Sequence, residues 1–426
     1  MIDIRLLRER PDEVLAIYRD RLFDEGAADV ARKALDLDTR RRDLVSKSDR
    51  VKAERNAAST AVGREKDPDK RKAMIAEMED WKARIAAAEG ELAAIDAELQ
   101  SVMLQLPNLP DPSVPAGRSD AENRVVREQG EKKSFAFTPK PHWDLGEQLG
   151  IIDFARGVKI SGSRFYLLKG AGARLQRALI AFMIDVHVKQ GYSEIYPPAM
   201  VKGQCLVGTG NFPKFADTVY RDIEEDFYFI PTAEVPVTNM YADEVLDAAT
   251  LPIKHVAYSP CFRREKMSHG KDVRGIKRGH QFDKVEMVKF VAPETSNAEL
   301  DALIADAEEV LRQLELPYRV VEMVTGDLSF SACKKFDLET WAPGCGEWLE
   351  VSSCSNFGDF QARRAAIRMK SGKDKPRHVH TLNGSGLALP RTVISVMENW
   401  QAEDGSIVIP PVLRPYLGGI DRIAEP

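Results

Sequence analysis

The sequence predicts an α+β protein, an N-terminal antiparallel helical coiled-coil arm followed by an antiparallel β-sheet domain flanked by helices. Three observations predict it. Between Lys70 and Leu106, Met78, Trp81, Ile85, Ala88, Leu92, Ile95, Leu99, Val102 and Leu106 recur at alternating spacings of three and four, the seam of a coiled coil. Upstream, Val30, Ala34, Leu37, Leu44, Val51, Ala58 and Val62 fall on the same repeat, and the sequence GREKDP (63–68) separates the two runs. Beyond residue 110 short strand and helix patterns alternate, with two strands, 255–262 and 284–291, flanking a basic loop in the manner of an antiparallel hairpin.

Taken in order, residues 1 to about 27 read as a small helical cap with a helix start at Arg10-Pro11-Asp12-Glu13. Two helices of about 35 residues joined by a Gly/Pro turn must fold back, giving an arm of roughly 50 Å. Arg41, Ser48 and Arg55 take alternate seam positions in the first helix. Residues 28–66 hold eleven Lys/Arg and seven Asp/Glu, whereas 67–106 hold five and nine, so the halves attract. Arg40, Arg41, Arg42, Lys47, Arg50, Lys52 and Arg55 give the first helix a cationic face suited to phosphates. The prolines of PNLPDP (107–112) end the second helix, which predicts domains 1–110 and 111–426. A helix over 171–190, a strand in YSEIYPPAMV (192–201), a strand in HVHTLNGSG (378–386) and a helix begun by Pro390 complete the pattern.

Composition narrows the class. The 426 residues carry a net charge of -5, 43% hydrophobic and 30% charged residues, as in ordinary globular proteins. No run of about 18 apolar residues suggests a membrane span, and the first residues lack a signal-peptide core, so a cytoplasmic location is expected. Five cysteines without C-x-x-C spacing argue against a disulfide framework and a cysteine-built zinc site. His378 and His380 lack a third ligand and read as structural. Neither a P-loop nor a dinucleotide-binding glycine motif is present. Against this background the stretch 262–286, FRREKMSHGKDVRGIKRGHQFDKVE, holds eight cations among four carboxylates. Its hairpin would aim Arg263, Glu265 and Glu286 into one cleft, and guanidinium forks match carboxylate and phosphate oxygens. KMSHG within it is a coincidental match to the signature loop of Rossmann-type synthetases, because the partner motif of that class is missing.

The same stretch resembles motif 2 of class II aminoacyl-tRNA synthetases, GYSEIYPPAMV resembles motif 1, and GSGLALPRTVISVMENWQ resembles motif 3. With PTAEVPVTN (231–239), EVSSCSNFGDFQARR (350–364), DGSIVIPPVLRPYLGG (404–419) and the arm, the chain resembles the bacterial type of the seryl-tRNA synthetase family along nearly its entire length. The resemblance implies ATP-dependent activation of L-serine to seryl-adenylate and transfer to tRNA(Ser), leaving tRNA(Sec) open as a second acceptor. It implies a class II synthetase-like catalytic domain with Arg263, Glu265 and Arg391 as catalytic residues. Thr232, Glu234, Arg263, Glu286, Asn383 and Ser385 would hold serine, with Glu286 accepting from its hydroxyl. Arg263, Arg264, Glu265, Gly279, Phe282, Glu350, Val351, Ser352, Ser353 and Arg391 would hold ATP, and Glu350 and Ser353 a Mg2+ or Mn2+ ion. Arg40, Arg41, Arg42, Lys47, Arg50 and Arg55 would contact tRNA. A homodimer would form through motif 1, burying the 175–186 helix face and EIYPPAM between subunits. The motif 2 loop, with Arg264 and Lys266, is more basic than in many family members, and GCGEWLEVSS approaches Glu350 differently. A ligase for a carrier protein, or an RNA-binding paralogue with a decayed site, are the alternatives; the arm argues against the first and the retained Arg263, Glu265, Glu286, Glu350 and Arg391 against the second. The chain also stops soon after motif 3, as expected of an enzyme that does not read the anticodon.

Overall fold

A computed structural model describes residues 1–20, 26–266 and 274–425. Two compact units emerge, 2–107 and 108–426, the latter together with Met1.

The first unit contains α1 (Ile4–Glu9), α2 (Pro11–Asp20), α3 (Ala27–Arg64) and α4 (Pro68–Met103). Proline opens α2 and α4 at the first helical position, where its missing N–H has no partner to lose, and the Asp67 carboxylate caps α4 by accepting from the Asp69 and Lys70 amides. The predicted seam is present. Ala34, Leu37, Ser48, Val62, Ile85, Ile95 and Val102 are buried, and Arg41, Leu44, Val51, Arg55, Ala58, Leu92 and Leu99 are half-buried. Lys33–Glu98 and Lys52–Glu89 ion pairs, each 2.8 Å, and an Arg41–Asp96 pair realise the attraction between the oppositely charged helices. The buried Asp38 carboxylate on α3 receives both forks of the Arg8 guanidinium at 2.8 and 2.9 Å, tying α1 to the arm.

The second unit is built on an eight-stranded sheet. Its members in chain order are β1 (Arg124–Gln129), β2 (Ser193–Ile195), β3 (Ile253–Phe262), β4 (Gln281–Val291), β5 (Tyr318–Glu322), β6 (Lys334–Ala342), β7 (Glu347–Asn356) and β8 (His380–Ala388). The spatial order is β1-β5-β6-β7-β8-β4-β3-β2, antiparallel throughout except for the parallel β2–β3 pair. Helices α5 (His142–Gln148), α6 (Ala171–Lys189), α7 (Ser296–Gln313) and α8 (Leu389–Asn399) contribute to one apolar core with the strands, through Leu145, Leu179, Leu303 and Val393 against Met287, Leu338, Val351 and Leu382. The other face of the central strands is divided between a second apolar cluster, with Ala257, Val288 and Phe290 against Ala233 and Val237, and a polar area that includes Lys284, Asn383 and Ser385.

One expectation is corrected here. The apolar stripe of α6, with Leu175, Leu179 and Met183 all 0% exposed, packs in the chain's own core rather than being left for a second copy, while Val188 on the same helix stays 44% exposed. Its 3.6-residue periodicity reported burial without saying against what. Of the motif 1 stretch, Tyr196 and Met200 remain exposed.

Leu37→Ala removes a fully packed seam side chain and should cost the arm about 2–5 kcal/mol. Hydrogen exchange should then accelerate along α3 and α4 while the amides of β4 keep their protection.

Candidate functional site

The polar area of the sheet floors a cavity of about 640 Å³. Its described lining carries seven Lys/Arg side chains and three carboxylates, an excess of positive charge that suits a polyanion.

Strand periodicity puts alternate residues on one face, so Asn383 and Ser385 of β8 and Lys284 of β4 line the cavity, and Glu286 of β4 shares that face but is buried behind the lining. Glu350 and Ser353 are three apart and would face opposite ways on a regular strand. A bulge resolves this: Leu338 pairs with Ser352 and Glu339 with Glu350, so Val351 is the extra residue and both flanking oxygen donors line the cavity. Ser352 turns away and donates to the Ser385 carbonyl at 2.6 Å.

At the floor, the Asn383 amide donates to Glu286 Oε1 at 2.8 Å and to Glu234 Oε2 at 2.9 Å. Lys284 ion-pairs with Glu286, and Gln361 donates to Glu234 Oε1 at 2.6 Å while its own oxygen accepts from Thr381. Seclusion from bulk water, then the neighbouring charge of Glu286, push Glu234 up to about 7. Glu286 itself is fully buried and stands behind Asn383 and Lys284, outside the lining.

Toward the mouth, the Arg263 guanidinium lies 5.1 Å over the Phe282 ring and donates to the Pro231 carbonyl at 3.3 Å. Glu265 adopts φ +47, a region that side chains other than glycine occupy at a cost of order 1–2 kcal/mol, which points its carboxylate to within 3.7 Å of Arg278. Gly279 passes so close to the Gln281 carbonyl that a Cβ would sit 3.0 Å from its oxygen. Arg391, in the first turn of α8 just after Pro390, donates to the Glu350 carbonyl at 2.7 Å and stands 3.5 Å from its carboxylate. Cavity walls that exclude water would raise Glu350, but Arg391, Lys335 and Arg263 together hold it below the ordinary carboxylate value.

The structure thus brings Thr232, Glu234, Arg263, Glu265, Gly279, Phe282, Glu350, Val351, Ser353, Asn383, Ser385 and Arg391 around one cavity. Arg264 is outside the lining, with its guanidinium 5.6 Å over Tyr220. Residues 267–273, including Lys271 and most of KMSHG, lie outside the described residues. Sequence reasoning missed Lys335 and Asp337. Lys335 lines the cavity and pairs with Asp337 at 3.1 Å; Asp337 is opposite Ser353 in the ladder, and burial pushes it up to about 6. The signal was available: two charges at i, i+2 alternate with Phe336 and Leu338, a strand with one polar face.

On the arm, the predicted cations do not share one environment. Arg41 and Arg55 occupy the seam, Arg41 paired with Asp96 and Arg55 bonded to Asn56, and Arg42 bonds Asp38 at 3.1 Å. Arg40, Lys47 and Arg50 are exposed and form no ion pair among the described residues.

A serine--tRNA ligase from Thermomicrobium roseum is 60% identical to this chain over 427 residues, covering all of the chain and 95% of that protein. The chain belongs to the seryl-tRNA synthetase family. The family model for the seryl-tRNA synthetase N-terminal domain matches residues 1–110, and that for the tRNA synthetase class II core domain (G, H, P, S and T) matches 217–400. Among solved structures, the family member from Pyrococcus horikoshii complexed with ATP is 38% identical with a TM-score of 0.95, all of both chains being covered. The cytoplasmic serine–tRNA ligase of Naegleria fowleri in complex with AMP is 30% identical with a TM-score of 0.89, covering 100% of this chain and 99% of that one. Among the described residues no helix is long and apolar enough to cross a membrane.

Asn383 is the donor shared by two carboxylates. Asn383→Ala should lower stability by about 1–3 kcal/mol, the usual penalty for stranding buried acceptors, and Asn383→Asp should lower it further by adding a third negative charge; thermal unfolding of the two variants gives the order.

Proposed function

We propose that the chain is a serine–tRNA ligase, activating L-serine with ATP and transferring the seryl group to tRNA. The observation that carries this is the cavity itself, where Glu234, Asn383 and Ser385 make a floor able to take an ammonium and a hydroxyl and meet a cationic mouth able to take a triphosphate.

In this reading the serine ammonium meets Glu234, and its hydroxyl is ordered by the Glu286–Asn383 pair. Arg263 neutralises the serine carboxylate and the α-phosphate as the carboxylate oxygen attacks phosphorus in line, expelling pyrophosphate. Glu265 and Phe282 accommodate the adenine, where Gly279 leaves room, and Arg391 takes the γ-phosphate. Positioning and charge neutralisation lower the barrier, with no side chain required as a base. The residues also fit a hard divalent ion: Glu350 and Ser353 offer oxygens, and Asp337 Oδ1 is buried without a hydrogen-bond partner among the described residues. Glu350 and Ser353 would hold Mg2+ or Mn2+, which would offset phosphate charge. The seryl group then passes to the terminal ribose of tRNA(Ser), whose body the exposed Arg40, Lys47 and Arg50 would hold through phosphates. A homodimer is proposed through the motif 1 stretch around Tyr196 and Met200; sedimentation as a monomer at micromolar concentration would exclude it.

Pyrophosphate exchange across the twenty amino acids tests the reading, which requires serine to dominate; exchange with another amino acid, or with none, overturns it. Glu286→Ala should lose most serine-dependent exchange. Because Glu234 titrates near 7, it is protonated below that pH and stops attracting an ammonium, so kcat/KM for serine should fall by up to about tenfold per pH unit below about 7. Glu234→Gln should abolish that limb. Replacing Arg40, Lys47 and Arg50 by Ala should weaken tRNA binding and reduce its salt slope by about 0.7–0.9 per lost phosphate contact, leaving exchange intact.

A further inference from the structure

Outside the cavity lining, three side chains that each offer a metal-ligating atom converge. His142 opens α5, Cys345 lies in the turn between β6 and β7, and Glu398 is in the last turn of α8; His142 and Glu398 are 0% exposed and Cys345 is partly exposed. Cys345 Sγ is 3.7 Å from His142 Nδ1 and 3.1 Å from Glu398 Oε1, and Nδ1 is 2.9 Å from Oε1. A tetrahedral zinc with its ordinary bond lengths needs ligand–ligand separations of about 3.3–3.6 Å, so shifts of about half an ångström or less suffice.

We propose that Cys345 Sγ, His142 Nδ1 and Glu398 Oε1 bind one borderline-soft divalent cation of the zinc class, with water as the fourth ligand. The donor set decides the class: a thiolate and an imidazole disfavour the hard ions that an all-oxygen site takes. On the Glu398 side the outer shell is built as well. Glu398 Oε2 accepts from the Gly344 and Cys345 amides at 2.8 and 2.9 Å, which holds the carboxylate with Oε1 facing the other two ligands. Glu398 Oε1 also accepts from the His142 amide at 2.9 Å, which fixes its position further.

Loading has a defined proton balance. The Cys345 thiol loses its proton to solvent as sulfur bonds the metal. The Ile276 amide donates to His142 Nε2 at 3.2 Å, so the ring proton belongs on Nδ1. Coordination through Nδ1 moves that proton to Nε2, where it opposes the Ile276 N–H and that bond is lost. One proton is released per ion. Gly275 packs directly on this ring, a Cβ there falling 2.1 Å from Nε2, and the next residues, Lys277, Arg278 and Gly279, line the cavity. Ion binding is therefore coupled to the base of the motif 2 loop.

Cobalt(II) is the probe, titrated into the full-length protein. The expected result is one equivalent producing the visible absorption of tetrahedral cobalt with a sulfur charge-transfer band, reversed by zinc, with one proton released in weak buffer. Cys345→Ser keeps a hydroxyl donor for Glu398, and should lose the charge-transfer band and weaken cobalt binding by about tenfold or more. An octahedral, sulfur-free spectrum, or a charge-transfer band that survives in folded Cys345→Ser, overturns the proposal. Should that variant not fold, alkylation of the unaltered protein decides: zinc must protect Cys345, identified by peptide mass spectrometry, and full labelling at saturating zinc rejects the site.

Discussion

Glu286 is a carboxylate with no exposed surface, and a charge taken so far from water is tolerated only with partners in place. Asn383 and Lys284 supply them from β8 and from two residues away on β4. The same Asn383 amide group reaches Glu234, whose other oxygen is held by Gln361, itself fixed by Thr381. Each partner is thereby oriented by the next. Burial first, and the neighbouring Glu286 charge second, hold Glu234 up at about 7 despite these partners.

The sheet makes this chemistry compatible with a folded core. One face of the central strands is buried under α6, α7 and α8, and on the other the polar side chains of the cavity adjoin a second apolar cluster around Val288 and Phe290. A strict two-residue alternation would have wasted Glu350 or Ser353 on the apolar side. The bulge at Val351 keeps both on the cavity face, and a second irregularity between Ser385 and Leu387 returns Leu387 to the core after Ser385 has entered the site. Local departures from regular pairing thus set which oxygens can act together.

The arm was the most legible part of the chain, because a coiled-coil seam is a local repeat and each helix needs only its neighbour to bury it. Even there, charge counting failed to sort the cations. Arg41 and Arg55 sit at seam positions by their heptad register, whereas Arg40, Lys47 and Arg50 face solvent; composition treated them alike. The α6 stripe shows the matching limit in the second unit. Periodicity identified Leu175, Leu179 and Met183 as buried, but their partner turned out to be the chain's own sheet.

From the sequence alone came the helical arm, the antiparallel hairpin around the basic loop, the family and most residues around the cavity, since heptads, strand alternation and contiguous motifs are short-range patterns. Only the tertiary structure decided that Lys335 and Asp337 stand beside Glu350, that Glu286 lies behind Asn383 rather than on the cavity wall, and that His142, Cys345 and Glu398 meet. Each of these depends on residues distant in the chain being brought together by strand order and by two bulges. Neither leaves a local periodicity to read, because long-range pairing is settled by the packing of the whole sheet.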